Sequence, residues 1–329
     1  MSEFRALVIS EREGGYHTEL ARKSIAQLPP HEVLIRVRYS SLNYKDALSS
    51  AGNKGVTRNY PHTPGIDAAG EVVQSSDPRF NEGDSVVVFG FDLGMNTSGG
   101  LAEYVRVPGD WVLPLPTGLD LRSAMAYGTA GVTAALSVMR LEHAGLNAPA
   151  EVLVTGSSGG VGSMSILFLG RRGYRVTAVT GKEGARERLS ALGVSEYMPR
   201  EAFAGEVKKP LLKPQFHAAV DCVGGTTLAN VLKVIHHSGA VACSGLVQSP
   251  NLPTTVFPFI LRGISLLGID SVELPLARKR EAWAWIAANH DAVALETLVR
   301  EVSLADAPAV LGEILQGSSM GRCVVNIDT

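Results

Sequence analysis

Glu151-Val-Leu-Val-Thr-Gly-Ser-Ser-Gly-Gly-Val-Gly162 decides the fold. A short strand runs into a glycine-rich turn, and an apolar helical stretch, Gly160–Arg172, follows. Such a turn lets the backbone approach a pyrophosphate closely, because no side chain stands in the way. The helix start behind it offers unpaired N–H groups and a positive dipole end. Against the template G-x-G-x-x-G, the chain reads Ser157-x-Gly159-x-x-Gly162, with serine in place of the first glycine. The motif alone is weak, and a merely tight structural turn is the other reading. A strand before it, a helix after it and further βα units favour a dinucleotide site. Ser158, Gly159, Gly160, Val161 and Gly162 are its candidate contacts.

Outward from that turn, apolar strands alternate with amphipathic helices. They are strand Glu151–Thr155, strand Arg175–Thr180, helix Glu183–Leu192, the short Glu196–Pro199, strand Ala218–Cys222, helix Thr226–His236, and strands Ala240–Ser244 and Ile264–Gly268. This is the pattern of βαβ units around a parallel sheet, an α/β doubly wound Rossmann domain. His236 and His237 are read as capping the C-terminus of their helix. A helical stretch, Ser123–Glu142, opens with serine and leads into this domain, which is expected to span 123–268.

Residues 1–122 read differently, as short β-rich pieces such as Phe4–Ser10, Glu32–Tyr39, Ala69–Gln74 and Asp84–Phe89, punctuated by prolines. A β-rich, partly open barrel is expected there. Two helical stretches, Leu276–His290 and Ala305–Leu315, precede a strand, Arg322–Ile327, that returns to this domain. The β-rich domain is therefore expected to comprise 1–122 and 269–329.

Composition agrees with two domains. The chain has 329 residues, 45% apolar and 19% charged, against about 150 residues per domain. A formal net charge of −2 without like-charge blocks leaves no electrostatic footprint for nucleic acid or an anionic membrane. Three cysteines cannot build a disulfide framework, which suits a reducing compartment. The N-terminus lacks the apolar stretch of a secretory signal, and no apolar run approaches the roughly 20 residues a membrane helix needs. A cytoplasmic protein is expected.

The cofactor can be narrowed. NAD sites usually place an acidic residue after the second strand to hold the ribose 2′-OH. Here that strand ends in Thr180-Gly181-Lys182, with no Asp or Glu. Lys182 is read at a helix start, where the dipole opposes a cation and a 2′-phosphate would relieve the conflict. Arg186 and Arg200 are further candidates. NADPH is the expectation; solvated surface cations, with NADH or no preference, are the alternative.

Pro64-Gly65-Ile66-Asp67-Ala68-Ala69-Gly70-Glu71-Val72, Asn81-Glu82-Gly83-Asp84, Gly99-Gly100-Leu101-Ala102-Glu103-Tyr104 and Gly128-Thr129-Ala130-Gly131 stand in a specific order along the chain. With the dinucleotide turn, they resemble the medium-chain dehydrogenase/reductase superfamily. Zinc members have His-Glu where this chain has Ile66-Asp67, and cysteines earlier in the first domain. No cysteine precedes Cys222 here, so no metal is expected. Ser40-Ser41-Leu42-Asn43-Tyr44-Lys45-Asp46-Ala47, together with Leu252–Arg262 and Gly268–Val272, is similar to a zinc-independent, quinone oxidoreductase-like branch that includes NADPH-dependent acrylyl-CoA reductases. The resemblance implies a GroES-like domain beside the Rossmann domain. It also implies NADPH-dependent reduction of a carbon–carbon double bond conjugated to a carbonyl, with acrylyl-CoA to propanoyl-CoA as first choice. A quinone or enone reductase is one alternative; a nucleotide-binding regulatory protein without catalysis is another.

Such a reduction leaves negative charge on a carbonyl oxygen, which preorganised donors stabilise by roughly 3 kcal/mol each. It also requires a proton at the α-carbon. Asn43 is a candidate for holding a substrate or cofactor amide, and Tyr44 for donating to the nicotinamide ribose or substrate. Asp46 and Asp67 are candidates for orienting donors or relaying a proton through water. A structural turn with a buried tyrosine and Asx caps is the bland alternative. The resemblance further implies that Tyr44, Leu246, Ile260, Ser271 and Asn326 touch cofactor, against ordinary core and loop packing. Lys45, Lys54, Arg58 and Arg79 could meet CoA phosphates or be solvated surface charges. Trp283 and Trp285, two apart on a helix, cannot share a face, so one could point toward a partner subunit, packing within the monomer being the equal alternative. The edge strand Ile264–Gly268 invites pairing, and a homodimer is expected.

Overall fold

The computed structural model describes residues 3–329, and the chain divides into two compact units. The first runs to Thr129 and adds Ser271–Ala288 and Val299–Thr329; the second comprises Ala130–Asp270 and Asn289–Leu298. The divide thus falls inside the long helix Leu121–His143 rather than ahead of it, and Asn289–Leu298 groups with the second unit.

In the second unit, six parallel strands lie in the order Val194–Met198, Arg175–Val179, Glu151–Val154, Phe216–Asp221, Ile235–Cys243 and Ser265–Gly268. Counted along the chain, this is the 3-2-1-4-5-6 order of a dinucleotide-binding sheet. Val152, Leu153, Ala219, Val220, Val241 and Ala242 are fully buried, as central strands covered on both faces require. Two expectations fail. The helix after the fourth strand spans Gly225–Leu232 and does not reach His236. His236 and His237 instead sit where the fifth strand bulges: Phe216 opposes Ile235, Ala218 opposes Ala240, and Ser238 takes φ 60. The His236 ring stacks on His217 at 4.7 Å. The second failure is the helix after the second strand, which is Ala185–Ser190, entered through Gly184 at φ 79. Lys182 therefore stands ahead of the helix, and the dipole argument for it lapses.

In the first unit, strand Val33–Leu42 is the spine. It pairs antiparallel with Asp67–Ser75, with Tyr104–Val107 and, at its far end, with the returning strand Arg322–Asn326. Asp67–Ser75 continues the sheet to Ser85–Phe89 and then Val112–Pro114. A strand absent from the sequence reading, Val299–Ser303, adds in parallel to Arg322–Asn326. Exposed Arg300 and Glu301 at its centre hide the alternation of an edge strand. Val33, Ile35, Val86, Val88, Val105, Val107 and Val112 form the core beneath. Trp283 is buried in this unit, edge-on to Phe89 at 5.9 Å, with no acceptor for its indole N–H among the described residues. Trp285 is half-buried.

The long helix begins at Leu121, not Ser123. Asp120 Oδ1 accepts from Ser123 N at 2.6 Å, and Ser123 Oγ accepts from Asp120 N at 3.0 Å, a reciprocal cap. Gly128, at φ 49 and ψ −156, then breaks the helix, in a region open only to glycine. A Cβ there would lie 2.5 Å from Asp67 Oδ2 and 2.7 Å from Ser41 Oγ. Gly128→Ala should therefore cost about 2–4 kcal/mol of unfolding free energy, from strained backbone plus overpacking. Urea denaturation measures this; an unchanged midpoint would mean the break tolerates a methyl group.

Candidate active site

In the second unit, the turn's left-handed residue is Gly156 at φ 58, one position before the serine that replaces the template glycine. Ser157 is buried, and its hydroxyl donates to Val179 O at 2.8 Å, so it ties the turn to the next strand. Gly162 is required by packing: a Cβ there would lie 2.4 Å from Gly156 O. Gly159 caps the helix Gly160–Arg171 without any side-chain hydrogen bond, and Gly159, Gly160 and Val161 are half-exposed. An uncapped helix start faced with glycines fits a pyrophosphate.

Beyond the second strand, Lys182 N donates to Thr180 Oγ1 at 3.2 Å, and the Arg200 guanidinium lies against Gly181, where a Cβ would meet its Nε at 3.2 Å. Burial, and then the Arg200 charge, lower the Lys182 pKa. Two cations crowd the end of the strand that lacks an acid, a setting that a dianion relieves. At the ends of the fourth to sixth strands, an open recess of about 640 Å³ is lined by residues including Gly224, Ser244, Leu246, Gly268 and Asp270. Leu246 thus reaches the recess, whereas Ile260 is on the exposed outside of helix Phe257–Arg262 and does not line it.

In the first unit, Asp67 is the hub. Its carboxylate accepts from Ser41 Oγ at 2.6 Å, Asn43 Nδ2 at 2.8 Å, Thr129 Oγ1 at 2.6 Å and Thr129 N at 3.0 Å. Arg322, unmarked by the sequence reading, lies 3.9 Å from Asp67 and is buried with it. Its guanidinium donates to Ser41 Oγ, Asn43 Oδ1, Leu42 O and Ala126 O. Burial lowers the Arg322 pKa, and the Asp67 charge opposes the shift. One signal was available: an arginine opening the otherwise apolar Arg322-Cys-Val-Val run needs a buried acid.

The Asn43 amide is consequently committed, with Nδ2 donating to Asp67 and Ser41 O and Oδ1 accepting from Arg322. It has little left for a substrate amide. Tyr44 opens the helix Tyr44–Ser50, is 42% exposed, and its hydroxyl has no partner among the described residues. Asn326 is elsewhere, four residues along its strand from Arg322 (roughly 13 Å at 3.3 Å per residue), with its amide on Glu301. Ser271 is buried in the first unit. Lys54 pairs with Glu11, and Arg79 with Asp77 and Asp110, so neither stands ready for a phosphate.

Asp46 is fully buried, accepting from Asn43 N at 2.8 Å, Gly65 N at 3.0 Å and Ile66 N at 2.9 Å. Burial, and then the Asp67 charge, push its carboxyl from 3.8 up to about 7. Between those pH values the folded chain keeps a proton that the unfolded chain has lost, so folding is favoured at low pH and the gain fades as pH rises through about 7. Asp46→Asn should flatten the fall in denaturation free energy between roughly pH 4 and 7. Equal slopes in variant and parent would remove Asp46 as its origin.

Comparisons with known proteins agree with this geometry. Residues 29–117 match the Alcohol dehydrogenase GroES-like domain family and 160–288 the Zinc-binding dehydrogenase family. Among the described residues no group of three or more His, Cys, Asp or Glu could hold a metal ion. The putative quinone oxidoreductase YhfP of Bacillus subtilis is 47% identical over 98% of this chain and 99% of its own length. Its solved structure, with NAD bound, superposes at TM-score 0.95 over 99% of this chain and 100% of that one. The acrylyl-CoA reductase AcuI of Ruegeria pomeroyi is 44% identical over 99% of each chain. The yhdH oxidoreductase of Salmonella enterica in complex with NADP has TM-score 0.95 at 44% identity, covering 98% of this chain and 99% of that one. A GroES-like unit and a 3-2-1-4-5-6 dinucleotide sheet, matched along nearly the whole chain, make this an oxidoreductase of the medium-chain dehydrogenase/reductase superfamily, in its quinone oxidoreductase-like branch.

Proposed function

We propose that the chain reduces the carbon–carbon double bond of a short enoyl-CoA with NADPH, acrylyl-CoA to propanoyl-CoA being the first choice. One observation carries the reading. Asp67, standing in the stretch where zinc members hold His-Glu, spends its carboxylate on Ser41, Asn43 and Thr129, and its neighbour is Ile66. The site is therefore built to hold hydrogen bonds in place rather than to offer a ligand.

Bound NADPH supplies the hydride. Ser158, Gly159, Gly160, Val161 and Gly162 would hold the pyrophosphate, Thr180, Gly181, Lys182 and Arg200 the 2′-phosphate, and the Leu246 recess the nicotinamide half. Tyr44, exposed and with no partner for its hydroxyl among the described residues, would donate to ribose or substrate. Asp46 and Asp67, both sealed from solvent, fix the Asn43–Tyr44 turn and do not relay protons. Quinone reduction is the second reading, favoured by the pairing of Lys54 with Glu11 and of Arg79 with Asp77 and Asp110, which leaves fewer cations for CoA phosphates. A homodimer formed through the edge strand Ser265–Gly268 completes the proposal, and the exposed Val256, Phe257, Ile260 and Leu261 precede that strand.

NADPH oxidation followed with acrylyl-CoA, crotonyl-CoA and a simple quinone tests the acceptor; turnover with the quinone alone would reject the thioester. Lys182→Ala should weaken NADPH binding roughly tenfold or more, the scale of one charge-assisted contact, while sparing NADH. Equal losses for both cofactors would reject the 2′-phosphate assignment. Light scattering should give twice the 34.8 kDa chain mass, and a monomer would end the dimer proposal.

A further inference from the structure

Lys279, on the helix Leu276–Ala288, is fully buried, and its Nζ donates to Phe89 O at 3.0 Å. The same ammonium lies 3.3 Å from the Phe91 ring centroid and 4.5 Å from that of Phe89. Phe91 also stacks on Trp111, with centroids 5.5 Å apart and planes 9° off parallel. Its backbone sits at φ 51, a conformation an aromatic residue strongly disfavours. Gly90 before it has φ 71, and a Cβ there would lie 2.8 Å from Lys279 Nζ. Phe91 N donates to Val272 O at 3.1 Å. Cation–π attraction is strong where water is excluded, so this lysine and these rings can hold a strained turn.

That turn begins a self-locked segment. Asp92 accepts from Asn96 Nδ2 and Thr97 Oγ1, and Gly94 N donates to Thr97 O. The segment then lies on the Pro64–Asp67 turn. Gly99 N donates to Thr63 O and Gly100 N to Gly65 O, each at 2.8 Å, and a Cβ on Gly94 would meet Gly65 C at 2.5 Å. Gly65 and Ile66 in turn supply the N–H groups that hold Asp46, whose other oxygen holds Asn43 N. The path runs through the Lys279 contacts with the rings, backbone hydrogen bonds, tight glycine contacts and the Asp92 and Asp46 carboxylates.

We propose that Lys279 is a positioning residue, clamping the left-handed Gly90–Phe91 turn so that the Phe91–Gly100 segment seats the Pro64–Asp67 turn and, through Asp46, the Asn43–Tyr44 turn. The assignment to turnover rests on the reductase reading; the assignment to the packed path does not.

Lys279→Met tests both. Hydrogen exchange followed by mass spectrometry should show peptides covering Gly94–Gly100 and Gly65–Ile66 exchanging at least tenfold faster, with Val152–Val154 of the second unit unaltered. Turnover should fall at least tenfold, with NADPH affinity within threefold of the parent. Phe91→Ala should act alike, and the double variant should be no worse than either single one. Unaltered exchange in those peptides would overturn the proposal whatever the activity. Parent-like turnover in a folded variant, or losses that multiply in the double variant, would overturn the role in turnover and leave the reductase reading standing. If Lys279→Met does not fold, Phe91→Ala at its half-buried position decides by the same exchange and turnover criteria.

Discussion

A buried carboxylate needs donors for its oxygens, and Asp67 organises the first unit by that rule. Its partners come from separate parts of the chain. Ser41 and Asn43 lie at the end of the spine strand, Thr129 just past the break in the long helix, and Arg322 at the start of the returning strand. Removing one side of a buried pair typically costs about 3–5 kcal/mol, so these segments are bound to one arrangement. Gly128 leaves room for it, and Asn43 is turned by it.

Much of this architecture could be read in the residues. The second unit was readable because a sheet covered on both faces needs nearly all-apolar strands such as Ala218–Val220, and glycine-rich turns have few other uses. The bulge at His236–Ser238 was not, because a left-handed serine leaves no compositional trace. Val299–Ser303 escaped for a related reason: an edge strand with Arg300 and Glu301 outward looks like a loop. At the candidate site, Asn43–Asp46 and Asp67 were marked by the polar cluster that follows a strand and by the resemblance to a zinc-independent branch. That they bind one another could not be seen, since their partners lie as far off as residue 322.

In the proposed reaction each unit has its own part. The second offers glycine backbone, an uncapped helix start and two crowded cations, all suited to phosphate charge. The first offers fixed orientation, with two acids and one arginine buried and Tyr44 exposed next to Asn43 in the chain. Stabilising charge by hydrogen bonds works only if the donors need not reorganise, which is what a sealed network provides. Asp46 adds a constraint of its own, because its carboxyl, pushed up to about 7, ties the seating of Asn43 to protonation.

Replacing Asp67 by Asn probes this account at its centre, since shape is kept while one acceptor oxygen becomes a donor facing donors. Steady-state turnover and NADPH affinity of the folded variant should part company, with kcat falling by roughly tenfold or more and the dissociation constant nearly unmoved. Parent-level turnover in that variant would contradict the claim that this carboxylate sets the active geometry.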